Sequence, residues 1–549
     1  MRASQNPAAA LLGAAGLVAI LTLISRVFGF LRWLAQASWV GAGEVGNAYA
    51  SANQIPNVIF EVVVGGALAS VTVPLLAKAV AAERAEEINR IASALFTWTL
   101  TILLPLGLLL FLLADPIAAV LPESRGSNGV AQNALMAQFL RIFAAQIPLY
   151  GIAVVAGGVL QAQHRFAWPA LIPAFSSLVT IGAYWLYDAW SVSNPFDERA
   201  ISALGWGTTL GVVALSLPLL VPLTRVGVRL RLTWKMPREK FLKALELGGF
   251  GIGALVAAQG YMLVALGLAR WGGEVGTINV FQYAQAIYML PYALFTFPIA
   301  TVVFPLLTRE KATGERGHFS SLSSASTALV AALAVLGIAG LFAVASGMAA
   351  IFSWNRPIPG LELAIVAMSP ALFGYALLYH LSRVFIALDR AVHTFVAALI
   401  GWGISALSAW ILILVLAPER GNGSVTLAAL GFGQAIGMSL AGLYLLVRWR
   451  IQQGGGLKTV LLPLVVTIPL AALGGAAGRL AYGAVVTTGV SGAPLWGTLL
   501  AGVVVVAVCL PAIYFSSTNF REVVREARRG NDNKEQGGVR ENLDDSGKS

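Results

Sequence analysis

The chain has 549 residues, of which 58% are hydrophobic and only 11% charged, and its formal net charge is +11. No soluble globular protein of this length carries that balance, so the composition excludes a soluble enzyme and requires a chain that crosses a membrane many times. The basic excess is then a feature of membrane topology rather than of nucleic-acid binding.

Apolar runs of spanning length, separated by polar turns, number about fourteen. They centre on residues 10–40, 47–78, 91–121, 134–161, 167–190, 200–224, 242–270, 277–307, 321–353, 362–388, 393–417, 425–448, 458–484 and 493–516. Several exceed the minimum of about 20 residues, which implies tilt or kinks.

The first span, GLVAILTLISRVFGFLRWLAQASWV over 16–40, carries Arg26 and Arg32 inside an apolar stretch. A charge at bilayer depth costs roughly 2.5–3.5 kcal/mol, so such a side chain faces a cavity or a partner. Two guanidinium groups imply a polar cavity that holds an anion, since the guanidinium pairs with phosphate in a two-pronged fork. Ser25 and Arg32 are seven positions apart and share a face. Arg26 and Arg32 are six apart, roughly 240° around the helix, and share one only if the helix bends; Gly29 between them is the expected hinge. In the second span, NQIPNVIFEVVVGG combines Gln54 and Asn57, which are candidates for the cavity wall, with the hinge Pro56 and the carboxylate Glu61. Proline frees a backbone carbonyl, and the glycines allow close approach. Glu61 has a structural alternative as the partner of Arg26.

The segment 226–240, VGVRLRLTWKMPREK, is basic with interleaved apolar residues, and is expected on the anionic inner leaflet between the sixth and seventh spans. Further along, Gln282 and Gln285 with the hinge Pro291 mark the eighth span, and His380 with Arg383 the tenth. The single cysteine, Cys509, sits in an apolar run and reads as a packing residue. The tail from Ser517 starts with a charged piece and becomes polar, so it is expected to be disordered.

Loops alternate in charge along the chain. One set holds Lys78, Arg84, Arg90, Arg165, Arg225, Arg229, Arg231, Lys235, Arg238, Lys240, Lys243, Arg309, Lys311, Arg316, Arg390, Arg448, Arg450 and Lys458; the other holds mainly Glu44, Asp115, Glu123, Arg125, Asp188, Asp197, Glu198, Arg199, Glu274, Arg356, Glu362, Glu419 and Arg420. Excess lysine and arginine mark the cytoplasmic side, which places both termini there.

Two matches relate span n to span n+6. Ala162-Gln163-His164-Arg165 corresponds to Ala387-Leu388-Asp389-Arg390. Ile55-Pro56 and Val73-Pro74-Leu75-Leu76 correspond to Leu290-Pro291 and Phe304-Pro305-Leu306-Leu307. A six-span step preserves orientation, so the halves are parallel repeats. The expected fold is therefore an all-α polytopic membrane protein of about 14 transmembrane helices, with two parallel six-helix lobes around a central cavity. The expected divisions are a first lobe over 1–225, the basic linker over 226–240, a second lobe over 241–450, two further helices over 451–516, and the tail over 517–549.

No catalytic set stands out. The four histidines lie far apart, and no metal-binding, dithiol, serine-hydrolase or phosphate-loop motif occurs. The expectation is a transporter rather than an enzyme, with no cofactor and no metal.

The run SRVFGFLR, followed by GAG, NQIPNVIFE and VPLL, resembles the opening of the MviN/MurJ family, within the multidrug/oligosaccharidyl-lipid/polysaccharide exporter superfamily, in its actinobacterial branch. The resemblance extends through topology over roughly residues 10–516. It implies a flippase that moves lipid II, the undecaprenyl-diphosphate-linked peptidoglycan precursor, across the bacterial cytoplasmic membrane by alternating access. It implies the lipid-linked muropeptide and the bilayer as partners, together with cell-wall synthesis and division proteins, and no nucleic acid. The family's two first-span arginines map onto Arg26 and Arg32; the residues themselves, not the resemblance, offer Ser25, Gln54, Asn57, Glu61, Arg383 and Gln285 as further candidate substrate contacts. Its second-span arginine maps onto Phe60, its glutamate onto Gly65, and its eighth-span Asp-Arg pair onto Gln285 and Ala286, so half of the cationic clamp is absent. That departure keeps other readings open: a flippase for another polyprenyl-linked polysaccharide, a drug or ion exchanger, a polytopic glycosyltransferase, or a non-transporting cell-wall scaffold.

Overall fold

A computed structural model describes residues 7–62, 69–235, 238–314, 316–453, 456–514, 517 and 520–522. Gly65 and most of the tail lie outside them. Among the described residues the regular structure is helical, and twelve helices are long and apolar enough to cross a membrane. A thirteenth forms if Leu361–Met368 and Ala371–Ala387, which bend by 48° at their junction, are one span. The second expected span is present as Glu44–Ile59 and Ala69–Ala81, on either side of undescribed residues. Helices dominate because a bilayer offers no water to the backbone, so each segment must satisfy its own amides. Lipid also explains why large apolar side chains such as Leu462, Val465 and Leu480 stand on the outside.

By contact the chain divides into two compact units. The first comprises Met1–Ala286, Ile351–Leu361 and Trp410–Leu430; the second runs over Ile287–Ala350, Glu362–Ala409 and from Gly431 onward. In the first, Tyr49 stands edge-on to Phe139, Phe143 and Tyr184, with ring centres 5.6, 5.7 and 6.0 Å away. Such edge-to-face pairs add about 0.5–1.5 kcal/mol each beyond area burial. In the second, Leu329, Leu333 and Leu336 of the helix Arg316–Phe352 pack with Ala471 of Leu457–Thr487 and with Ala501, Val505 and Cys509. The Cys509 thiol points at the Leu470 carbonyl, 3.6 Å away, as a packing residue.

The two sequence matches have local geometry in common. Helices end at Ala162 and Ala387, and the third residue of each turn, His164 or Asp389, adopts φ +59°. The closing bonds also correspond: Arg165 N–H donates to the Leu160 carbonyl at 2.8 Å, and Arg390 N–H to that of Phe385 at 2.9 Å. Pro56 precedes a π-helical stretch at 60–62, and Pro291 precedes one at Tyr292–Thr296. A proline supplies no N–H to the preceding turn, which favours such a widened turn.

Residues 228–235 of the basic segment are extended and run along the third span, Ala85–Leu112. Its backbone N–H groups at Arg229, Arg231 and Thr233 donate to Oδ1 of Asn89, Oγ of Ser93 and Oγ1 of Thr97, at 2.9, 3.0 and 2.9 Å. The Trp234 indole N–H continues the row to Oγ1 of Thr101 at 3.1 Å. Four helical residues rise about 6 Å and two extended residues about 6.6 Å, so the two periods stay in step.

Candidate substrate site

The first span runs as one unbroken α-helix, Pro7–Ala35, through Gly29, and becomes π-helical only at Gln36–Val40. It packs along Ala167–Trp190, and the Ser25 hydroxyl donates to the Ala170 carbonyl across that contact. Ser25 is therefore tied to a neighbouring helix. The two arginines have different surroundings: Arg26 is exposed, and Arg32 is half-buried. The Arg32 guanidinium lies 5.3 Å from the Trp33 ring and acts electrostatically on Tyr49, Tyr150 and Tyr184.

Behind Arg32 lies a network of neutral polar groups. The Tyr49 hydroxyl meets those of Tyr184 at 2.9 Å and Thr208 at 3.0 Å, and Tyr184 donates to Oε1 of Gln36 at 3.3 Å. The Tyr150 hydroxyl lies between Oδ1 of Asn57 at 3.2 Å and Oε1 of Gln146 at 3.3 Å, while Nε2 of Gln146 donates to Thr209 at 3.1 Å. Each buried hydroxyl or amide would cost about 1–3 kcal/mol unpaired, so the network fixes side-chain positions around the cation. Phe60 lies 4.4 Å from the Tyr150 ring and adds no charge. Gln54 accepts from Nε2 of Gln282 at 3.0 Å, and Glu61 is exposed in the π-helical stretch. Gln285 is half-buried in Thr277–Pro291. Ser25, Arg26, Arg32, Gln54, Asn57, Glu61 and Gln285 all belong to the first unit.

Arg383 belongs to the second unit. Its guanidinium lies over the Tyr379 ring at 3.7 Å and bonds both the hydroxyl and, at 3.3 Å, the carbonyl of that residue. Tyr292 stands perpendicular to Tyr379, 4.9 Å between ring centres. His380 is fully buried, with Nε2 3.2 Å from the Ser326 hydroxyl.

A second set of residues escaped the sequence reading. They lie at one end of the first unit, where Ile351–Leu361 and Trp410–Leu430 join the earlier spans. Arg270, at the end of Arg238–Gly272, is 1% exposed. It donates to the Pro122 carbonyl at 2.7 Å, the Ser51 hydroxyl at 3.3 Å and Oδ1 of Asn133 at 3.4 Å. Asn279 donates to the carbonyls of Gly41 and Gly46 at 3.3 and 3.0 Å, and the Tyr283 hydroxyl to that of Gly41 at 3.2 Å. Arg125 bonds the carbonyls of Glu419 and Arg420, both at 2.9 Å, and Arg356 pairs with Asp188 at 2.8 Å. Gly276 sits at φ +90° against the Ala42 carbonyl, where a side chain would collide. The partners are up to 295 residues apart in the chain. The one signal available was Arg270 itself, an arginine at a span end beside Gly272 and Gly273.

A helical chain with at least twelve helices long and apolar enough to span, and with an arginine inside the first of them, defines a polytopic membrane protein. Residues 36–492 match the family model described as "Lipid II flippase MurJ", and the chain belongs to that family. A relative from Rhizobium meliloti, "Probable lipid II flippase MurJ", is 28% identical over 279 residues, 49% of this chain and 50% of its own length. Another of that description, from Synechocystis, is 31% identical over 44% of this chain and 45% of its own. The chain thus spans about half the length of these curated relatives. The solved structure "Lipid II flippase MurJ, inward closed conformation" superposes with a TM-score of 0.69 at 20% identity, covering 92% of this chain and 99% of that one. An inward-facing multidrug resistance MATE family transporter gives 0.65 at 15% identity, covering 81% and 99%. These two likenesses concern the fold.

Proposed function

We propose that this protein is a flippase that carries undecaprenyl-diphosphate-linked muropeptide from the inner to the outer leaflet of the cytoplasmic membrane. The observation that carries this reading is Arg32, a cationic fork inside the first span, beside the hydrogen-bonded network of Tyr49, Tyr184, Tyr150 and Asn57. A diphosphate in a low-dielectric interior needs fixed cations, and guanidinium supplies charge and paired donors together. Arg26, six positions earlier, offers a second charge on the same helix. Ser25, Gln54, Asn57 and Gln285 provide neutral polar contacts, and the muropeptide presents amides and hydroxyls to them. The hydrogen bonds of Arg270, Arg125 and Asn279 at one end of the first unit, taken as the outer end by the charge alternation, support an alternating-access cycle in which the headgroup is admitted from the cytoplasmic side. Binding must differ between the two states for transport to shift their populations.

The shared φ +59° turns and paired proline-π stretches support the two-lobe parallel repeat, with lobes over 1–225 and 241–450. The charge alternation supports cytoplasmic termini. Cysteines placed at Asn194 and Arg390, both exposed, should then react oppositely with an impermeant thiol reagent; equal labelling from outside would refute the orientation. The function itself is tested by depletion in the native host. Lipid-linked muropeptide should accumulate on the inner leaflet, measured by mass, while normal levels under full depletion would refute the reading. A flippase for another polyprenyl-linked glycan remains the second reading, favoured by Phe60, Gln285 and Ala286 where the family pattern carries charge. Accumulation of a different lipid-linked sugar would select it.

A further inference from the structure

We infer that the extended segment Arg229–Lys235 is a second diphosphate-recognition element, a cationic track that receives the lipid-linked headgroup before it reaches the first-span arginines. The inference rests on the flippase reading above. Three features of the segment carry it.

The first is depth. The third span has 28 residues, about 42 Å of helix against roughly 30 Å of hydrocarbon. Its opening turns, AEEINR, are polar and occupy the headgroup region. The row Asn89, Ser93, Thr97 and Thr101 covers about 18 Å from there inward. The segment pinned to that row therefore descends below the interface with it.

The second is the backbone. Non-helical chain at membrane depth persists only where protein buries it or water wets it. The inner edge is satisfied by the row of side chains. Thr97 and Thr101 also donate back to the Ser93 and Thr97 carbonyls at 2.7 and 2.8 Å, so each hydroxyl gives and receives. The outer edge is not covered: Arg229, Arg231 and Lys235 are exposed, and none is ion-paired among the described residues. Unpaired charges at this depth require water beside them.

The third is alternation. Successive side chains of an extended chain point to opposite faces. Arg229, Arg231, Thr233 and Lys235 share one face; Leu230, Leu232 and Trp234 share the other. Leu230 packs on the cluster of Leu75, Ile91 and Val159, while Leu232 and Trp234 are 74% and 61% exposed. The cations form a line that steps inward, and exposed apolar groups run beside it. That is the chemistry of a diphosphate joined to a long hydrocarbon. A bulk phospholipid headgroup stays at the interface and has no use for cations placed deeper. The track also supplies charge to a protein whose Phe60, Gln285 and Ala286 supply none.

The test uses the full-length protein in lipid nanodiscs, with undecaprenyl diphosphate and phosphatidylglycerol as separate probes. Arg231→Gln with Lys235→Gln should weaken undecaprenyl diphosphate binding by at least about tenfold, the loss expected for one charge-assisted contact. Phosphatidylglycerol retention should be unchanged. Arg231→Lys with Lys235→Arg should restore most of the affinity. Ser93→Ala with Thr97→Ala, which unpins the segment and keeps its charge, should lower affinity by a smaller factor at an unchanged melting temperature. Unchanged undecaprenyl diphosphate binding by the double glutamine variant, or equal loss of both probes, overturns the inference while leaving the flippase reading in place. Failure of the unaltered protein to bind undecaprenyl diphosphate overturns both.

Discussion

Arg32 and Arg383 both sit in apolar helices, and they meet tyrosine in opposite ways. Arg32 acts electrostatically on Tyr184 of a different helix, and the groups behind it are satisfied among themselves. Arg383 lies flat on Tyr379, one turn back in its own helix, and bonds that residue's hydroxyl and carbonyl. On the reading proposed above, the first arrangement leaves the cation's donors for a ligand. The second consumes much of the cation's capacity in holding one helical turn and its ring. A charged residue at membrane depth is thus not in itself a binding residue; what its neighbours leave unused decides.

The comparison breaks most readily at Arg32. Arg32→Ala, alone or with Arg26→Ala, should abolish complementation of a depleted strain at matched membrane expression. Arg32→Lys should restore it in part, since charge remains and the fork is lost. Full complementation by Arg32→Ala would make the first-span arginine structural. A change of intermediate size is expected at Arg270, which neither ligand nor lipid reaches. Arg270→Met leaves the Pro122 carbonyl, Ser51 and Asn133 without their donor, at about 1.5–3 kcal/mol for a bond to a charged group. A cysteine at the fully buried Ala48 should then be labelled from outside roughly tenfold faster; an unchanged rate would show that Arg270 does not hold the outer end shut.

For Arg383 the expected loss is in stability. Arg383→Ala removes a cation–π contact worth about 2 kcal/mol when desolvated, so the melting temperature in detergent should fall by a few degrees while flipping per folded molecule is retained. Lost flipping at an unchanged melting temperature would put Arg383 in the site with Arg32. The smallest effect is expected at Tyr49→Phe. It deletes a hydroxyl shared between Tyr184 and Thr208, about 1 kcal/mol, and should loosen Arg32 enough to raise the substrate concentration for half-maximal flipping several-fold. No change in that concentration would mean the network supports the fold alone.

Much of this was legible in the sequence because a membrane makes hydropathy nearly decisive. The spans fall where the apolar runs lie, and the turns at His164 and Asp389 correspond as their tetrapeptides do. The arginines of the first span were visible as charges out of place. Their different surroundings were not, because the α-helix continues unbroken through Gly29 and leaves Arg26 exposed and Arg32 half-buried. The track along the third span was written twice, as R-L-R-L-T-W alternation at 229–234 and as Asn89, Ser93, Thr97 and Thr101 four apart. Each half looks unremarkable until the rises of strand and helix are set side by side. The outer closure was beyond reach for a different reason: its bonds join carbonyls to side chains hundreds of residues away, and a carbonyl carries no sequence signature.

The widened turn at Tyr292–Thr296 shifts the phase of its span. An α-helix advances about 100° per residue, and a π turn holds roughly one residue more than an α turn. A helical wheel drawn straight through Thr277–Thr313 therefore misassigns every position beyond Thr296 by about that angle. A cysteine or tryptophan scan of the span should show two accessibility waves, one up to Pro291 and one from Phe297, with a phase jump between them. Face assignments for the lower half of the helix have to be restarted at Phe297.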